Sequence, residues 1–127
     1  MSIELRQRVD EINSQIVTLI KQTADKSDPD GLAGKISELA ALIPTSAHAV
    51  AVSEMLYNQK IGELMESEQY SKMSATDKKM IFQGKASKEI ALMTYSERLN
   101  KGITHAIDGY RSILSFVKSE MENLRHV

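Results

Sequence analysis

Cysteine is absent from the 127 residues, which excludes a disulfide framework, a thiolate zinc site and a cysteine nucleophile. Glycine (6) and proline (2) are scarce, and that argues against a turn-rich all-β architecture. Only six aromatic side chains occur, four Tyr and two Phe. An excess of one charge is missing as well. Sixteen Lys+Arg against seventeen Asp+Glu leave a formal net charge of −1, so no global field holds the chain on nucleic acid or an anionic membrane. No stretch approaches the roughly 18 apolar residues of a membrane span. The opening residues lack the basic-then-apolar order of a secretory signal. The expected compartment is the cytoplasm.

What is present is an ordinary globular composition, 42% hydrophobic and 26% charged, in a length that suits one domain. Leu5, Val9, Ile12, Ile16 and Leu19 recur at spacings of 4, 3, 4 and 3, one apolar stripe on a helix over about 2–24. Asp28-Pro29 signals the start of a second helix, because the Asp side chain can accept the free N–H groups of the first turn. This helix, 29–43, buries Leu32, Ile36, Leu39 and Ile43 and stops near Pro44. Thr45 or Ser46 caps a third, 46–68, whose first half, Ala47 to Leu56, is apolar nearly all round and should be covered on more than one side. Its second half narrows to Tyr57, Ile61, Leu64 and Met65. Ser74-x-x-Asp77 reads as the capping box of a short fourth helix, 75–83, with Gly84 as its stop.

From about Ala86 to Leu124 there is neither a proline nor a break in periodicity. Leu92, Tyr95, Leu99, Ile103, Ala106, Tyr110, Ile113, Val117, Met121 and Leu124 step by 3 or 4 throughout, and a helix over 86–124 would span on the order of 58 Å. No other helix can cover it singly. Either two of them stack end to end along it, or a second copy of the chain covers the remainder, and both are expected. The sequence therefore predicts a single all-α domain over 1–127, an antiparallel helical bundle on one long C-terminal helix, forming a homo-oligomer.

About 100° round from that core stripe runs a second line, Arg98, Gly102, His105, Gly109 and Ser112. A glycine inside a helix costs roughly 1 kcal/mol relative to alanine, so two on one face suggest a compensating gain. The line reads either as a close-packing groove for another helix at Gly102 and Gly109, or as a ligand groove with donors from Arg98, His105 and Ser112. Lysines cluster between Lys72 and Lys88, where five face the single acid Asp77. Lys85 and Lys88 lie at the start of the long helix, whose dipole already favours an anion, and the same run also reads as a solvated connector. Tyr95, like Tyr57 and Tyr110, joins an apolar ring to a hydroxyl that can reach a rim or stack on a base. Arg111, Ser115, Lys118, Glu122 and Arg125 form the outward polar line.

Catalytic and metal constellations are not found. Gly84-Lys85 and Gly34-Lys35 lack the other residues of a phosphate-binding loop. His105, Asp108 and Ser112 are the residue types of a hydrolase triad, but Ser112 stands about two helical turns from His105, beyond hydrogen-bond reach. The three histidines, His48, His105 and His126, are too dispersed for a metal site. No cofactor is expected.

The stretch Tyr95-Ser-Glu-Arg98-Leu-Asn100 through His105-x-x-Asp108-x-x-Arg111-Ser112-x-x-Ser115-x-x-Lys118-x-Glu120-Met121 resembles the C-terminal helix of small helical proteins of bacteriophages and mobile elements. Some such proteins counter host defence by sequestering nucleotide signals between subunits, and the resemblance implies Arg98, His105, Lys85 and Lys88 as the places for such a ligand. The expectation is a non-enzymatic oligomeric binding protein that holds a small anionic ligand, a nucleotide, by Arg98, His105, Lys85, Lys88 and Ser112 with Tyr95 as a cap. Its alternative is a protein–protein adaptor or inhibitor of a host protein, acting through exposed helical surface. A nucleic-acid accessory role ranks below both, because backbone neutralisation needs a concentrated basic face.

Overall fold

Local chemistry sets most helix boundaries. In the computed structural model, which describes residues 2–125, the chain forms α1 (Ser2–Lys21), α2 (Pro29–Ala41), α3 (Ile43–Glu66), a short 3-10 turn (Glu68–Tyr70), α4 (Ala75–Lys85) and α5 (Ser87–Arg125). No strand occurs among the described residues. His126 lies outside them. Asp28 accepts from the Asp30 N–H at 3.2 Å with Pro29 behind it, and Ser74 accepts from the Asp77 N–H at 3.2 Å. Each side chain thereby satisfies a donor that the first helical turn leaves free. Between α1 and α2, Asp25 accepts from the Ser27 hydroxyl at 2.7 Å and the Ser27 N–H at 2.9 Å. These two bonds, the hydroxyl foremost, hold the Asp25 carboxyl below its ordinary range.

Two expected stops do not occur. Pro44 was expected to separate the second and third helices, yet only Leu42, itself in right-handed helical geometry, stands between them. Pro44 falls in the first turn of α3, where its missing N–H forfeits no helical bond. Thr45 and Ser46 therefore lie inside α3 rather than capping it, and its N-cap, Leu42, makes no side-chain bond. Gly84 likewise does not terminate α4. Every glycine φ is negative, so no left-handed cap forms there, and α4 runs on to Lys85.

The joint at Leu42 makes α2 and α3 a single bent rod, and that rod lies along α5. Ser46 accepts from Asn100 Nδ2 at 3.1 Å. Glu89 lines the same cleft as Gln59, Lys60 and Glu63. Both α2 and α3 pack against α5. Leu114 and Val117 are half-buried, while Met121 is 44% and Leu124 74% exposed. From Asp108 to Arg125 no residue of α5 is buried, so the C-terminal half of the long helix is the part its own chain covers least.

On its other flank α5 meets α1 in the same direction, with Asn13 Nδ2 donating to Ser96 Oγ at 3.0 Å and Ile20 packed beside Gly102. Val9, Ile12 and Ile16 of α1 close on Leu39, Ala49, Val52 and Leu56 of the rod and on Leu92, Ile103 and Ile107 of α5. Lys35, 6% exposed, donates its ammonium to the Leu19 carbonyl in the last turn of α1, where the free carbonyls of a helix end favour a cation. At the far end Phe82 of α4 meets Tyr70 edge-on, ring centroids 5.4 Å apart.

Candidate functional site

The Arg98 line survives as geometry because α5 is unbroken. Arg98, His105, Gly109 and Ser112 are exposed on one flank, and Gly102, half-buried at its inner edge, leans toward α1. Seven residues separate Arg98 from His105, and again His105 from Ser112, which is about 10 Å along the axis in each case. Neither glycine is forced by packing within the chain. A Cβ added at Gly102 would meet Ile20 Cδ1 at 3.8 Å, an ordinary contact, and at Gly109 it would meet nothing within 4 Å. Asp108 lies 3.9 Å from Arg111 in an exposed ion pair, so it is engaged away from His105. Tyr95 is 48% exposed on the rim instead of lying in the core stripe.

The lysines belong to a different place. Lys85 is the last residue of α4 and Lys88 lies in the first turn of α5, both exposed. From Lys88 to His105 is about 25 Å along a rigid helix, so one chain does not bring the two groups together. The first turn of α5 also carries its own acid, Glu89, which already meets the attraction of a helix N-terminus for negative charge.

A cleft that periodicity could not reveal opens where α1, α3 and α5 converge. Its volume is about 290 Å³, and its walls are Ile3, Arg6, Leu56, Gln59, Lys60, Glu63 and Glu89. Two cations face two carboxylates there, and Glu89 Oε2 is buried without a hydrogen-bond partner. Balanced charge of this kind does not select an anion. No group of three or more His, Asp or Glu that could hold a metal occurs among the described residues.

The third helix departs furthest from expectation. The half that was to be covered on several sides is covered on one: Ala49, Val52, Ser53 and Leu56 are buried, while Ala47, His48, Ala51 and Met55 are exposed. Ile43 and Met65, placed in the core by their spacing, are 38% and 70% exposed. Leu39 through Ser53 contain no Asp, Glu, Lys or Arg. Because α2 and α3 join, Pro29–Glu66 is long and apolar enough by length and composition to cross a membrane, where the sequence was expected to hold no stretch near that length. The core helix of a soluble protein meets the same criterion. Only 33% of its most apolar window is buried inside the chain.

No protein-family model, curated protein or solved structure matches this chain.

Proposed function

We propose that this is a non-enzymatic, self-associating helical binding protein, built as a bundle in which the α2–α3 rod runs against α1 and α5. The observation that carries this reading is the run from Leu39 to Ser53 without Asp, Glu, Lys or Arg, in which Ala40, Ala41, Ile43, Pro44, Ala47, His48 and Ala51 are left exposed. Monomeric proteins rarely expose a contiguous apolar surface without a partner for it. The ligand in this reading is a small anion, a nucleotide by the resemblance of the last helix, bound through Arg98 and His105 with Ser112 and Tyr95 beside them. One chain offers these groups as an open flank. Such a binder needs donors and no nucleophile, which agrees with the side chains on α5.

Thermal-shift titration with mono-, di- and cyclic nucleotides tests the ligand. A ligand at a hundred times its Kd stabilises by about 2.7 kcal/mol, and Arg98→Ala with His105→Ala should erase that shift. No stabilisation by any nucleotide would remove the anion from the reading. The alternative is an adaptor acting through exposed helical surface, for which α5 offers the exposed basic line Arg111, Lys118 and Arg125, on the side of the helix away from Phe116 and the Arg98 line. In that case charge reversal along this line should abolish partner capture, and Arg98→Ala should not.

A further inference from the structure

The rod's bare face has a geometry that selects one kind of occupant. Ile43, Ala47, Ala51 and Met55 follow one another at steps of four along α3, with Val50 at their side and Met65 beyond. Small residues occupy the middle of this row and larger ones its ends. In a two-fold contact each surface meets an identical one, so any charge near the axis meets its own sign at close range. The stretch from Leu39 to Ser53 is without a single Asp, Glu, Lys or Arg, so the residues nearest the axis carry no such penalty, and the one acid on this face, the exposed Glu54, stands at its rim. A hetero-partner would need no such neutrality.

We propose that two copies of this chain pair through the outer face of α3, antiparallel, with Ala47 of one copy level with Ala51 of the other. The two alanine pairs let the backbones approach, and each Ile43 packs against the partner's Met55 at the rims. This rests on the self-association in the reading above and assigns it to α3 rather than α5. Standard interfaces spread about 800 Å² per partner over 20–30 residues, and the face from Ala40 to Met65 offers roughly half as many. The pair should therefore be reversible, dissociating on dilution.

The test is the mass of the full chain by light scattering after gel filtration, at several concentrations. Wild type should form dimers as concentration rises, Ala51→Glu should stay monomeric with unchanged helical circular dichroism, and Phe116→Ser should dimerise like wild type. Because the chain has no cysteine, Ala51→Cys and Lys118→Cys provide a check that perturbs the fold little. A short bis-maleimide should join copies of the first and not of the second. Dimers that survive Ala51→Glu, or cross-linking at residue 118 alone, would overturn this interface while leaving self-association standing. A wild-type chain that remains monomeric would overturn both, and its co-sedimentation with phosphatidylcholine vesicles would show the face to be a lipid-binding one.

Discussion

Gly109→Ala reports on the flank of α5 without touching any contact within the chain. Gly109 is exposed in the interior of a 39-residue helix, and a Cβ there meets nothing within 4 Å. Alanine is favoured over glycine inside a helix by about 0.8–1.0 kcal/mol, since the glycine backbone loses more freedom on folding. With no clash to offset it, the whole gain should appear as stability. For a domain of this length it corresponds to roughly 3–5 °C in Tm. Gly102→Ala should add a similar amount, because its Cβ only reaches van der Waals contact with Ile20 Cδ1 at 3.8 Å. The two positions lie about 10 Å apart on the helix and should act additively. Thermal unfolding followed by circular dichroism measures both, with Gly34→Ala as a control, since its Cβ also meets nothing within 4 Å. A fall in Tm at Gly109 alone, or dimers that weaken with it, would refute the reasoning: something would then pack against that glycine, and the groove between helices would be the correct reading of the line.

The remaining expectations concern polar groups inside the bundle. Asn13 and Ser96, 3% and 0% exposed, bond each other across α1 and α5; Asn13→Ala should cost about 1–3 kcal/mol in urea unfolding, and the double variant with Ser96→Ala less than the two singles summed. Lys35→Met keeps the buried stem but removes the cation from the Leu19 carbonyl, and should cost about 1.5–3 kcal/mol by the same assay. Ser27→Ala should return the Asp25 carboxyl toward its ordinary pKa in an NMR titration, because both bonds that depress it come from Ser27 and the hydroxyl contributes more. A depressed carboxylate pKa adds stability that is present above the unfolded value and lost as pH falls through the folded one. That dependence should weaken in the variant.

What was legible in the sequence is what periodicity encodes. The steps of 3 and 4 through Val9, Ile12 and Ile16, and through Leu99, Ile103 and Ala106, marked faces that are buried or half-buried, and the Asp28 and Ser74 caps form as their chemistry dictates. Pro44 misled because a proline that ends one helix is equally at home in the first turn of the next. Asn13 and Ser96 carried no signal in the spacing and Ser46 was expected to cap a helix, since nothing local announces that two polar side chains will meet across a core. The same blindness hid the cleft at Arg6 and Glu89, which exists only where three helices converge. Ile43, Met55 and Met65 show the opposite error. Apolar residues nearly all round the first half of α3 were read as covered on more than one side, whereas the chain covers them on one. The Arg98 line could be placed on a helix face from spacing alone, but no spacing states what stands opposite it.

Sedimentation velocity of the unmodified protein over roughly 5–500 μM reads the central claim most directly, because a half-sized interface predicts a reversible equilibrium in that range. The account requires the weight-average mass to climb from 14.2 kDa toward twice that value as concentration rises. A mass that stays at 14.2 kDa across the whole series would contradict it.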